Sequence, residues 1–474
     1  MSPSFDLRAF LDERHPDEIL LATETTKLNS QQLRDRIVSI CEYLDGLGIT
    51  SGDYCAFQDL KPLDSFLLIL ACMCRGVIAV PLNPKFRGDH LQPYLAQIPP
   101  VKWVREAAWQ GDALTATPSA KELNIAIDKP CLIIFTSGST GPAKGVVHTW
   151  SSLAASAQSS IEFYGLQTRW SWLLSLGLFH VGGLLIGLRT LLGRGCLLIP
   201  SPEKTLGQAI KELQPEWLSL VPTQLDDFFQ DDNLIAILQR CKGIVLGGAA
   251  ASKNCLECAY SLNLPLSLSY GSSETAAQVT ATPIAKQPKN LEQAVAGFPL
   301  PGRELQLEVD SQRIKCRGLG LFQGYWMARK FHPHPENGWF LTSDRGQWTD
   351  DGLVILGRID DVFTCGGENL SRSEIQAAIS QVIKSLAFLV VKQPDARLGW
   401  MPVLYIESDE APDPNKTMEL IATVLPSIKR PRKIYWSTSR HYIFPNQKPA
   451  IAQLEESLKQ VDEGAELTLL WPLS

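Results

Sequence analysis

Residues 136–150 read TSGSTGPAKGVVHTW. Just before them, Cys131 to Phe135 (CLIIF) is a short, β-favouring apolar run bounded by Pro130, which predicts a buried strand feeding a loop. Gly138 and Gly141 permit backbone conformations closed to other residues and can turn amide N–H groups inward. Thr136, Ser137, Ser139 and Thr140 add hydroxyl donors and Lys144 a positive charge, a composition suited to cradling an anion. Taken alone, such a loop is more often a flexible Gly/Ser linker. Its place after a buried strand, with lysine on the far flank, favours phosphate. It is not the P-loop of the common NTPases, because Ala143 and Gly145 stand where glycine and Ser/Thr are required around the lysine. A GxGxxG fingerprint is absent as well.

Outward from the loop, strands and helices alternate. Asn29 or Ser30 caps a helix whose apolar positions Leu33, Ile37, Ile40, Cys41 and Leu44 keep helical spacing until Gly46 and Gly48 stop it. A strand near Tyr54 to Phe57, a buried helix over Phe66 to Cys74 and a strand over Val77 to Leu82 continue the pattern. It recurs at Trp217 to Val221, Ile244 to Leu246 and Leu264 to Ser269, each followed by small or turn-forming residues. Parallel α/β sheets bind ligands at the carboxyl ends of their strands, so loops 136–145, 222–223, 247–250 and 270–274 are predicted to line one cleft. From about Leu305, strand-like and turn-rich pieces suggest a smaller β-rich subdomain. After Gly357 and Arg358, Ser371 and Glu374 form a capping-box pattern that opens what looks like a separate carboxyl-terminal α+β unit.

The chain has 474 residues, 45% of them hydrophobic, enough for a large core and more than one domain. Its net charge of -6, with both signs interspersed, argues against nucleic acid or an anionic membrane surface as partner. Eleven scattered cysteines fit reduced thiols in a cytoplasmic protein. Cys255 and Cys258 form one CxxC without a second pair, which reads as two thiols on a helix rather than a metal site. MSPSFDLRAFLDERHPDE mixes charges and lacks an apolar stretch, so no signal peptide is expected. The uncharged run from Trp172 to Leu188 contains His180 and four glycines and predicts a buried strand and helix, not a membrane span.

TSGSTGPAKG resembles the signature of the adenylate-forming superfamily, which includes acyl- and aryl-CoA synthetases, peptide-synthetase adenylation domains and firefly luciferase. Segments similar to its other motifs follow in the expected order: SLGLFHVGG (175–183), YGSSE (270–274), GWFLTSDRGQW (338–348) and GRIDDVFTCGGENLSRSEI (357–375). The resemblance implies an α/β fold with a large amino-terminal domain, residues 1–358, built from doubly wound sheets and a β-rich subdomain. A small mobile α+β domain, residues 359–474, would follow a hinge near Asp360.

The implied substrates are ATP, a small carboxylic acid and coenzyme A, with Mg²⁺. Glu274, in a turn after a buried strand, is the expected Mg²⁺ ligand, with Thr140 as second contact. Ser273, Lys144 and the loop donors would stabilise phosphoryl charge. Asp344, expected at a strand end between Thr342 and Arg345, would take the ribose hydroxyls with help from Arg358. Gly247, Gly248, Ala249 and Ala250, with Tyr270 and Gly271, would leave room for the base. His180 interrupts an apolar run, and is either a core histidine or, as the resemblance implies, a wall of the acyl pocket. The family motif around its catalytic lysine is altered here. In IFPNQKPAIAQLEE (443–456) a second proline follows the only lysine and no glycine precedes it, which makes Lys448 the candidate.

The compact length, FHVGGLLIGLR and CGGENLSRSEI look most like the o-succinylbenzoate–CoA ligases of menaquinone or phylloquinone biosynthesis. Their substrate has two carboxylates, one to activate and one to bind. Arg189, between Leu188 and Leu191 in an apolar span, either holds the remote carboxylate or snorkels from a helix end to a surface acid. Ligases for other aryl or fatty acids, a luciferase-like oxygenase and a degenerate ATP-binding scaffold are the competing readings.

Overall fold

The computed structural model describes residues 3–86, 88, 91–110, 122–136, 143–166, 168–334, 338–383, 386–438, 442–443, 451–458 and 468–472. Three sheets organise most of it. A seven-stranded sheet carries the parallel strands Lys102–Val104, Tyr54–Phe57, Ile78–Pro81 and Pro130–Thr136, then the antiparallel strands Lys144–Thr149, Gly324–Met327 and Lys330–Pro333. A second, thirteen-stranded path has a parallel half that includes Ser171–Leu173, Trp217–Leu220, Gly243–Leu246 and Leu266–Ser272. It then turns antiparallel through Ala277–Ala281, Ala294–Pro299 and Gly352–Arg358 to Arg303–Leu307. The fold is therefore mixed α/β. The β-rich part begins at Ala277, earlier than the turn-rich composition suggested, and it is a continuation of the parallel sheet, because the strand after the 273–276 turn pairs directly with its predecessor.

Sequence pattern accounts for the helices between these strands. The side chain of Asn29 accepts from Gln32 N and Gln32 answers at Asn29 N, a reciprocal cap for the Ser30–Gly46 helix, whose Leu33, Ile37, Ile40, Cys41 and Leu44 are all buried. From Phe66 onward the helix Pro62–Cys74 is apolar all round because it is buried all round. The Trp172–Leu188 run resolves into the strand Ser171–Leu173 and the helix Val181–Leu192, as its composition predicts. Among the described residues no helix is long and apolar enough to cross a membrane.

Residues beyond Arg358 form a six-stranded sheet of their own, centred on Gly399–Glu407 and backed by the helices Arg372–Val382 and Pro414–Val424. Segment 361–368 is mostly a hairpin in which Cys365 pairs with Glu368. The capping box at its end is half made. Ser371 Oγ accepts from Glu374 N, but the Glu374 carboxylate pairs with Lys429 instead of returning to the cap. Cys255 and Cys258 lie on the helix Lys253–Ser261 as free thiols, and no metal-ligating cluster occurs among the described residues.

Candidate active site

YGSSE sits on the hairpin Leu266–Ser272 to Ala277–Ala281, with residues 273–276 as its turn. Gly271 is obligatory, because a Cβ there would lie 1.6 Å from the Ala277 carbonyl oxygen. Ala276 and Ala277 have φ of 48° and 75°, a left-handed region that costs a residue with a Cβ about 1–2 kcal/mol. Thr275 Oγ1 accepts from Ser272 N at 2.9 Å and closes the turn from within. At its apex the half-buried Glu274 accepts the Tyr325 hydroxyl at 3.0 Å. Burial, then the Glu274 charge, drive the Tyr325 pKa upward, so the phenol stays a donor.

Tyr325 also bridges the two sheets. It lies on the strand beside Lys144–Thr149, and Lys144 Nζ stands 5.2 Å from its ring centroid, a cation–π contact. Thr136 and Lys144 are register partners, so the two flanks of the TSGSTGPAKG loop face each other near Glu274. Ser137, Gly138, Ser139, Thr140 and Gly141 lie outside the described residues, as does Lys448. Two of the four predicted loops, 222–223 and 247–250, follow the neighbouring parallel strands Trp217–Leu220 and Gly243–Leu246, and the third, 270–274, begins inside the next strand, Leu266–Ser272, so all three share one end of the sheet. Gly248 and Ala249 are exposed there, and Gly248 has φ +81°.

Asp344 is not at a strand end. It lies inside Phe340–Thr349, just before a register shift at Arg345/Gly346 that re-aims the strand. Tyr270 donates to Asp344 Oδ2 at 2.7 Å, so this tyrosine holds the acid with its hydroxyl as well as offering a ring. Arg358 is the register partner of Asp344, with Nη1 3.7 Å from Oδ1. Its fork, however, is engaged by Asp360, Nε on Oδ1 and Nη2 on Oδ2, both at 2.8 Å.

His180 is exposed at the amino-terminal cap of Val181–Leu192, its ring 4.5 Å from that of Phe179, so it is not a core histidine. Arg189 lies nine residues on, about 13 Å along the axis. It is 3% exposed, which rules out snorkelling to a surface acid. Its Nη2 donates to Gln278 Oε1 at 2.8 Å and its guanidinium carbon stands 4.6 Å from the Trp172 ring centroid. Nε has no partner, and no carboxylate pairs with Arg189 among the described residues. Burial pulls its pKa down to about 10. Gln278 also accepts from Ser160 Oγ at 2.9 Å and donates to the Tyr164 hydroxyl at 2.9 Å and Ser269 Oγ at 3.1 Å. Tyr325, Gln278 and Tyr164 were not singled out by sequence reasoning. Each sits in an ordinary strand or helix pattern, and only the pairing of distant elements gives it a role.

Two carboxylates each held by a tyrosine hydroxyl, Glu274 by Tyr325 and Asp344 by Tyr270, stand with Lys144 near the carboxyl ends of parallel strands. The chain belongs to the AMP-binding enzyme family, whose pattern matches residues 8–326. It is 29% identical to the 2-succinylbenzoate–CoA ligase of Escherichia coli (strain K12) over 415 residues, 84% of this chain and 87% of the relative. It is 30% identical to the enzyme of the same name from Haemophilus influenzae over 404 residues, 83% and 84% of the two chains. Its fold matches the o-succinylbenzoate CoA synthetase (MenE) from Bacillus subtilis in complex with the acyl-adenylate intermediate OSB-AMP, at TM-score 0.80 and 22% identity, covering 96% of this chain and 98% of the other. E. coli MenE with bound OSB-AMS matches at TM-score 0.78 and 24% identity, covering 97% and 99%.

Proposed function

We infer that this chain joins 2-succinylbenzoate to coenzyme A through an acyl-adenylate made from ATP. The observation that carries the choice of acid is Arg189, a buried guanidinium with an unpaired Nε and no carboxylate partner among the described residues. A buried charge of this kind calls for an anion, and the remote carboxylate of a dicarboxylic aryl acid supplies one. Identity to the two ligases across more than four-fifths of the chain supports the same reading.

In this reading the acid lies along Val181–Leu192, its remote carboxylate at Arg189 and its reacting carboxylate near His180. Glu274 suits a hard cation: its carboxylate is half-buried, held by a neutral phenol and paired with no basic side chain among the described residues. Glu274, with Thr140, would hold Mg²⁺, which when bound neutralises phosphate charge. Lys144 and Ser273, with the hydroxyls of Ser137, Ser139 and Thr140, would stabilise the charge of the phosphates. Asp344, steadied by Tyr270, takes the ribose hydroxyls, and Gly248 and Ala249 leave space for the base. Attack of the carboxylate oxygen on the α-phosphorus expels pyrophosphate, and the CoA thiol then displaces AMP from the acyl carbon. Residues 359–474 act as a mobile domain about Asp360, with Lys448 serving the first step.

Pyrophosphate release with 2-succinylbenzoate should exceed that with benzoate or octanoate at least about a hundredfold, since the latter leave Arg189 unpaired. Comparable rates for all three acids reject the assignment of substrate. Absence of any acyl-adenylate by mass spectrometry rejects the enzyme class.

A further inference from the structure

Three consecutive carbonyl oxygens around Glu274 are each taken by a donor from a different part of the chain. His148 Nε2 lies 2.8 Å from Ser273 O, Phe322 N donates to Glu274 O at 2.8 Å, and Arg303 Nη2 donates to Thr275 O at 2.9 Å. A carbonyl only accepts, so the His148 proton sits on Nε2, while Nδ1 faces Ser152 Oγ at 3.2 Å. His148 is fully buried. Arg303 is 7% exposed, with Nε and Nη1 unpartnered, and presses on Gly320, where a Cβ would fall 2.2 Å from both terminal nitrogens.

These side chains are poor choices for stability alone. A buried arginine with Nε and Nη1 idle and no acid partner among the described residues is worse than an apolar residue of its size, and the turn it grips is already strained at Ala276 and Ala277. Such an arrangement is expected where backbone geometry serves the site rather than the core. We propose that His148 and Arg303 are positioning residues that fix the Ser273–Thr275 backbone, so that the Glu274 carboxylate meets the cation of a metal–nucleotide complex in one orientation. The proposal rests on Glu274 being the metal ligand. Burial holds His148 neutral, as the single-donor geometry requires, and Arg303 is the charged group facing it.

The test is binding of Mg·ATP without acid, by titration calorimetry, beside thermal melting. Arg303→Met keeps volume and is expected to melt no lower than the parent while binding Mg·ATP about tenfold more weakly. His148→Leu should weaken binding similarly, and His148→Gln, whose amide can reach the same carbonyl, should restore it to within about threefold. Unchanged Mg·ATP affinity in Arg303→Met, or His148→Gln no better than His148→Leu, overturns the proposal, as does a lowered melting point with intact binding. Glu274→Gln separates the two levels. If it abolishes Mg·ATP binding while Arg303→Met and His148→Leu leave the affinity unchanged, the clamp alone is wrong; if it changes nothing, the metal-ligand reading falls and the proposal with it.

Discussion

Arg189 combines burial, an unpaired Nε and an amide in place of an acid. Arg189→Ala should raise the KM for 2-succinylbenzoate about a hundredfold, the scale of a lost buried charge pair, and leave the KM for ATP within about twofold. Equal increases in both constants would show that the residue supports the fold and not the acid. His148 provides a pH signature. Its pKa is about 4 in the fold, lowered by burial, against 6.5 when exposed. Between those values the unfolded chain binds more protons, so stability falls as pH drops from 6.5 to 4. Urea unfolding of His148→Gln should show a shallower loss over that window; matching slopes would place the buried proton elsewhere.

The hairpin around Glu274 is the element on which the site turns. Gly, Ser and Glu after an apolar run are local signals that predict a strand, a tight turn and a metal-suited carboxylate there. That the turn reverses into a paired strand carrying Gln278 toward Arg189 is not legible in those residues, because pairing and register depend on what lies alongside. Gly271→Ala puts a methyl onto the Ala277 carbonyl. The substitution should lower stability by more than about 3 kcal/mol and remove adenylation activity, as melting and pyrophosphate exchange would record. A parent-like melting point would mean that the hairpin re-registers without loss.

At the scale of the molecule, Asp360 clasps Arg358 at the step from the thirteen-stranded path to the carboxyl-terminal sheet. Asp360→Ala removes that clasp. If rotation about this point joins the half-reactions, thioester formation should fall about tenfold while pyrophosphate exchange moves less than about threefold. Matched losses would argue for a static junction.

Much of this was open to a reader of the sequence alone: the alternating strands and helices, and Glu274 and Asp344 as acids at a turn and on a strand. Those features follow from spacing and residue type within a few positions, which short-range sterics and hydrogen bonding dictate. The partners of His148, Arg189 and Arg303 were closed to it. Their contacts span 125, 89 and 28 residues, and in KGVVHTW or PGREL nothing distinguishes an inward side chain from its neighbours. Sheet order and strand register bring such groups together, and only the folded chain sets these, by excluding water from both faces at once.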